Sequence, residues 1–181
     1  MPHTELNIDC GEILLRPFQI EDAYAISRIS SEPEISAFLP DWKAPEEKRR
    51  YWLTEYEVPM NQAFLEAVPT IDEHMLKLAI LHKETNRVIG WCCSGIKDEL
   101  PEPNREIVYA VSSEFQNRGF ATKAVQGLID YLFSSTDTKV LNAIALTNNE
   151  PSTRVIQKCG FRYNATIEID HQLYKHFILQ K

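Results

Sequence analysis

The stretch Gln116-Asn117-Arg118-Gly119-Phe120-Ala121-Thr122 constrains this chain more than any other. It follows the apolar run Ile107 to Val111 and opens a segment with helical periodicity, so it stands where a strand hands over to a helix. The first N–H groups of a helix have no partner within it, and the macrodipole adds partial positive charge, which makes such a junction an anion site. Gly119 and Ala121 keep that surface thin, while Arg118 and Thr122 supply a charge and a hydroxyl. A glycine before a helix is more often only a turn residue, so the neighbouring segments have to decide.

Downstream, Ala121, Ala124, Val125, Leu128 and Leu132 form one helical stripe, and Lys139 to Leu146 returns as a strand, which completes a β-α-β unit. Asn149 reads as an N-cap with Pro151 in the first turn; Val155, Ile156 and Cys159 form a buried face, and Gly160-Phe161 a C-terminal cap. Two closing strands, about Arg162 to Ile169 and Leu173 to Leu179, follow. Upstream, residues 1–11 read as a loose lead-in and Ile13 to Phe18 as a strand. A helix opened by Glu21-Asp22 then buries Ala23, Ile26 and Ile29 and stops near Glu32-Pro33. Ile35 to Pro40 is a short apolar connection. Residues 44–67 read as one or two helices around Tyr51, Trp52, Tyr56 and Phe64, with a break at Pro59. Met75 to Leu81 and Val88 to Cys93 form an antiparallel hairpin across Lys83-Glu84-Thr85-Asn86, and Gly95 to Asn104 is a surface loop before the strand Glu106 to Val111.

A length of 181 residues with 44% hydrophobic and 25% charged content suits one ordinary globular domain, residues 1–181. The 19 basic residues against 26 acidic ones give a net charge of −7, which argues against a nucleic-acid surface and only weakly for cationic partners such as amines. No N-terminal apolar segment or run of membrane-spanning length is present, so a cytoplasmic protein without membrane contact is expected. Cys10, Cys92, Cys93 and Cys159 have no metal-ligand spacing, and adjacent Cys92 and Cys93 point to opposite faces of their strand. His3, His74, His82, His171 and His176 are scattered, so no metal is expected.

Taken together, these segments resemble the GNAT superfamily of acetyl-CoA-dependent N-acetyltransferases. Leu14-Leu15-Arg16-Pro17 followed by Glu21-Asp22-Ala23 is similar to the opening of the branch that includes the ribosomal-protein alanine N-acetyltransferases, and Glu106-Ile107-Val108-Tyr109 resembles its strand before the cofactor turn. Residues 116–122 match that branch's pyrophosphate loop. Asn149-Glu150-Pro151-Ser152, Arg154-Val155 and Lys158-Cys159-Gly160-Phe161 match its N-x-x-S and K-x-G-F segments. Lys123 departs from the pattern, since many relatives carry an acid there. The resemblance covers nearly the whole chain and implies an α+β fold, a mixed central sheet of about six to seven strands with helices on both faces.

The resemblance also implies a site. Acetyl-CoA would lie between the strands Glu106 to Val111 and Val140 to Leu146, its diphosphate on the amides from Arg118 to Thr122. The implied cofactor set is Val111, Gln116, Asn117, Arg118, Gly119, Phe120, Ala121, Thr122, Asn149 and Ser152. Direct attack of a neutral amine on the thioester requires a base, for which Glu106 is the candidate; burial beside Ile107 and Val108 would raise its pKa toward neutrality. Otherwise it is an ordinary strand-end carboxylate. Ser152 matches the position proposed to protonate the departing thiolate; a first-turn serine that caps main-chain N–H groups is the plainer reading, and the two roles are compatible. Val155 and Ile156 stand where other branches place a tyrosine acid, and Tyr109 reads as core or cleft wall. Trp42, Tyr51, Trp52 and Tyr56 fall in the region that roofs the acceptor site. The acceptor is an amine, either a small molecule or a protein N-terminus, and homodimers are common in the family. A non-catalytic acyl-CoA-binding module of the same fold is the alternative. A dinucleotide enzyme ranks last, because G-x-G-x-x-G and Walker A spacings are missing.

Overall fold

The computed structural model describes residues 5–181; residues 1–4, which begin the expected lead-in and include His3, lie outside that range. The chain enters as β1 (Ile8–Cys10) and turns through Gly11 into β2 (Ile13–Pro17). Arg16 then clamps the Asp22 carboxylate with two hydrogen bonds of 2.8 Å, and the Gln19 N–H donates to the same carboxylate. That junction starts α1 (Ala23–Ser30), whose stripe of Ala23, Ile26 and Ile29 is fully buried. The expected apolar connection after it holds a short α2 (Pro33–Ser36) and a 3-10 turn at Pro40–Trp42.

Pro59 does not break the next helix. α3 (Glu46–Trp52) runs through a π-helical turn (Leu53–Glu57) into α4 (Val58–Ala67), and Pro59 sits in the first turn of α4. Proline withholds the N–H that would serve the carbonyl four residues back, and the wider turn immediately before it accommodates that loss. Further along α4, Asn61 bonds both main-chain groups of Lys77, at 2.7 and 2.9 Å, and so ties the helix to a strand.

That strand is β3 (Leu76–His82), followed by β4 (Arg87–Ile96), β5 (Arg105–Val111), α5 (Phe120–Ser135), β6 (Val140–Leu146), α6 (Glu150–Lys158), β7 (Arg162–Ile169) and β8 (Gln172–Gln180). Among the described residues, eight strands form one sheet in the order β1-β2-β3-β4-β5-β6-β8-β7, one more than the upper end of the expected six to seven. The extra strand is β1, whose three residues are too short a run to show alternation in sequence. β5 and β6 are parallel and every other pair is antiparallel.

Each face of the sheet has its own core. Phe18, Ile26, Ile29, Leu53, Trp91, Cys93 and Ala110 pack under α1 and the π-helical turn. Leu15, Leu78, Cys92, Ile107, Val111, Leu128, Leu132 and Ile156 pack under α5 and α6. Cys92 and Cys93 therefore do separate onto opposite faces, as strand alternation requires.

Candidate active site

The site is organised by β5. Its alternation sends Glu106, Val108 and Ala110 toward the α1–α3 face and Ile107, Tyr109 and Val111 toward α5 and α6. The parallel pairing of β5 with β6 has one register pair, Glu106 with Asn142, so the strands part beyond it. Buried Asn142 holds that point: its Nδ2 donates to the carbonyls of Pro103 (2.9 Å) and Arg105 (3.0 Å), and its Oδ1 accepts from His176 Nε2 (2.8 Å). Burial lowers the His176 pKa, which keeps that ring neutral.

At the far end of β5 the turn is braced from two sides. The Glu32 carboxylate accepts from the Ser112 hydroxyl and the Ser113 N–H, both at 2.7 Å, and Gln116 Nε2 donates to the Val111 carbonyl at 2.9 Å. The Gln116 side chain thus turns inward to fix the loop. Asn117 and Gly119 are left-handed, with φ of 61° and 80°, and Gly119 is the N-cap of α5. Gly119 offers no side chain to cap the helix, so the first-turn amides of Phe120, Ala121 and Thr122 have no intrahelical acceptor. A Cβ at Gly119 would meet no atom within 4 Å, so the main chain lies open to a ligand. Phe120 presents only its amide, because its ring is buried against His82 and Phe115. The Arg118 guanidinium lies 5.3 Å from the Phe115 ring beside the turn. Lys123, the departure noted above, pairs with Glu12 at 2.7 Å on the surface.

Asn149 caps α6 by accepting from the Ser152 N–H, at 3.3 Å. The capping role open to Ser152 thereby falls to Asn149, and the Ser152 hydroxyl is free for another partner. That partner is the Tyr109 hydroxyl, 2.8 Å away, which also lies 3.0 Å from the Ser152 carbonyl. Burial pushes the Tyr109 pKa upward, so its proton stays in place. Sequence reasoning gave Tyr109 to the core or cleft wall. Its position on the α6-facing side of β5 was the available signal for a hydroxyl here, although α6 itself carries no tyrosine.

On the opposite face of β5 a cleft of about 360 Å³ opens between β3, β4, β5 and the α3–α4 helix. Glu106 lines it, and burial pushes its carboxyl up to about 7, against a smaller opposing pull from Lys97. Such a group shares its proton with water near neutral pH, which is what a general base needs. Trp42, Trp52 and Tyr56 line the same cleft; Tyr51 is exposed outside it and packs edge-on against Tyr56. Behind the aromatics, buried Glu57 accepts from Arg49 at 3.1 Å and Lys77 at 2.7 Å, and Arg49 also donates to the Trp42 carbonyl at 2.6 Å. Sequence reasoning missed this charged group, since Arg49, Glu57 and Lys77 share no motif. Cys93 lines the cleft too, but burial pushes its thiol up to about 12, which makes it a poor nucleophile at neutral pH. No group of three or more histidines, cysteines or acids able to hold a metal occurs among the described residues, and no helix there is long and apolar enough to cross a membrane.

Comparison with known proteins converges on one family. The model of the acetyltransferase (GNAT) domain matches residues 12–162. The chain is 27% identical to the uncharacterized N-acetyltransferase p20 of Bacillus licheniformis, covering 83% of this chain and 79% of that protein. It is 26% identical to the spermidine N(1)-acetyltransferase of Escherichia coli, covering 90% and 78% respectively. Mycobacterium smegmatis RimJ, solved in complex with CoA-disulfide, superimposes with a TM-score of 0.77 at 20% identity over 99% of this chain and 89% of that one. With the domain model spanning the cleft, the parting of β5 and β6 and the turn after β5, the chain belongs to the GNAT superfamily and is an acetyl-CoA-dependent acetyltransferase.

Proposed function

We propose that the chain moves an acetyl group from acetyl-CoA to a primary amine by direct attack within a ternary complex, with Glu106 as the general base. The observation that carries this reading is the Glu106 carboxyl, lining the cleft with its pKa raised to about 7, beside the point where β5 and β6 part. Acetyl-CoA supplies the activated acetyl group as a thioester. The amides from Arg118 to Thr122 hold its diphosphate, flanked by the Arg118 charge. Val111, Gln116 and Asn117 set the path of the loop, and Asn149 fixes the start of α6. Glu106 takes the ammonium proton, directly or through a water, so that the amine attacks as a neutral nucleophile. The Ser152 hydroxyl, seated against Tyr109, returns a proton to the sulfur as the C–S bond breaks. The products are the N-acetyl amine and the free thiol. The Cys93 thiol is too basic to carry an acyl-enzyme, which supports direct transfer over a covalent relay.

Relatives named for spermidine and for a ribosomal-protein alanine support an acceptor among primary amines, small molecule or protein N-terminus. Titration with acetyl-CoA followed by thermal melting tests the cofactor half: at a hundred times its dissociation constant, a ligand bound only by the folded state adds about 2.7 kcal/mol of stability. A thiol-release screen over amines and N-terminal peptides tests transfer. Stabilisation by acetyl-CoA with no thiol released from any acceptor favours the non-catalytic acyl-CoA-binding module instead.

A further inference from the structure

We infer that the acceptor is a primary monoamine with an apolar body, and that charges already resident in the cleft exclude polyamines and other multiply charged amines. The inference rests on the transfer reading above and narrows it to a substrate class. The walls around Glu106 are mostly apolar, with Tyr56, Met60, Met75 and Val108 among them. Aromatic rings in an acceptor site attract a ligand cation only if their faces are free. Here the faces of both cleft tryptophans are taken, and only the Tyr56 ring is left without a cation over it. Trp42 stacks on Trp91, with ring centroids 4.5 Å apart, and both Arg49 (5.3 Å) and Lys77 (5.0 Å) lie over it. Trp52 carries Lys48 and Arg49, each at 4.8 Å.

The carboxylates tell the same story. Glu57 is the second acid buried at this cleft, and Arg49 and Lys77 both bond it, so the group holds two cations against one anion. A second ammonium on the acceptor would meet this net positive charge at reduced dielectric, where like charges repel strongly. Asp41, on the exposed rim, is screened by water. That leaves Glu106 as the unpaired acid inside the cleft, with Asp41 on its rim, suited to one amine. The chain's overall charge of −7 would draw polyamines to the surface, but the pocket's own charges decide what enters.

The test compares 2-phenylethylamine with spermidine on the CoA-saturated protein, following Trp42 and Trp52 fluorescence for binding and thiol release from acetyl-CoA for turnover. The expected result is at least tenfold tighter binding and tenfold higher kcat/KM for 2-phenylethylamine. Lys77→Met should narrow the gap by lowering the KM for spermidine. Tyr56→Ala, at an exposed position that leaves the fold intact, should raise the KM for 2-phenylethylamine severalfold and leave spermidine unchanged. Equal or tighter binding of spermidine, or no binding of 2-phenylethylamine, overturns the inference. The two readings separate cleanly: spermidine preferred and acetylated keeps transfer and removes the monoamine class, whereas 2-phenylethylamine preferred with no thiol released keeps the class and removes transfer.

Discussion

The two ends of β5 are built from different parts of the polypeptide. Past Val111 the turn offers main-chain amides: the Gln116 side chain folds back on a carbonyl and Phe120 is buried in the core, while Asn117 and Arg118 are exposed. Around Glu106 the cleft is lined by side chains drawn from α3, the π-helical turn, β3, β4 and β5, and the proposed chemistry rests on them. Every residue but proline carries a main-chain N–H, so the first kind of site depends on backbone shape and tolerates most side chains. The second kind depends on the particular groups assembled and on how far burial shifts them. Substitutions at the two ends should therefore fail in opposite ways, one in chemistry and one in cofactor affinity.

The largest effect should come from Glu106→Gln. Removing a positioned general base lowers kcat by about 10²–10⁴-fold, while stabilisation by acetyl-CoA is kept. For the unaltered protein, kcat/KM should rise with pH through about 7 as Glu106 loses its proton, and the variant should lose that limb. Stability should move the other way. A carboxyl whose folded pKa lies above its unfolded value contributes stability that is fully present below about 4.5 and is lost as pH climbs through about 7. Glutamine stays neutral throughout, so Glu106→Gln should melt higher than the parent at pH 8 and no higher at pH 4. An unchanged pH–rate profile would remove Glu106 from the mechanism and reduce the contrast between the two ends.

The same contrast governs how much could be read from sequence. Gln116 to Thr122 and Asn149 to Phe161 are contiguous, and their work rests on φ angles, caps and helix starts, which residue type encodes locally. Gly119 at φ 80°, Gly160 at φ 91° and the Asn149 cap all stand where spacing put them. Glu106 was legible as a candidate, but the raised pKa depends on burial under the α3–α4 helix, far along the chain. The ion group of Arg49, Glu57 and Lys77 had no local signature, because its members meet only when α3, the π-helical turn and β3 pack together. The π-helical turn escaped for a related reason: Pro59 signals a disturbed helix, and tertiary packing chooses a wider turn over a break.

A middle-sized effect should mark the other end of β5. Gly119→Val forces a β-branched residue into a left-handed conformation, a cost of about 1–2 kcal/mol, and puts carbon where the surface is now open. If amides at this turn hold the diphosphate, losing one charge-assisted hydrogen bond of about 1.5–3 kcal/mol weakens acetyl-CoA binding by about 10- to 100-fold. kcat at saturating acetyl-CoA should stay close to the parent's, the mirror image of Glu106→Gln. Gly119→Asn separates the two causes, since asparagine tolerates φ above zero and relieves the strain while still filling the space. Full recovery of affinity in Gly119→Asn would mean that strain alone was responsible.

The smallest effect should belong to Ser152→Ala, and its size bears on whether chemistry is confined to the Glu106 end. The α6 cap comes from Asn149, so alanine removes the hydroxyl without uncapping the helix. A thiol of pKa about 8.5 is already a tolerable leaving group near neutral pH, which leaves a proton donor only a loss on the order of threefold to tenfold in kcat to account for. Tyr109→Phe takes away the other half of the 2.8 Å hydroxyl pair and should cost about 1 kcal/mol of stability. If the two hydroxyls pass one proton as a unit, the double variant turns over no more slowly than the slower single variant; if they act separately, the losses multiply. A fall in Tyr109→Phe as deep as that of Glu106→Gln would transfer the acid to Tyr109. β5 would then carry side-chain chemistry on both of its faces, and the division between a main-chain end and a side-chain end would hold only for the diphosphate.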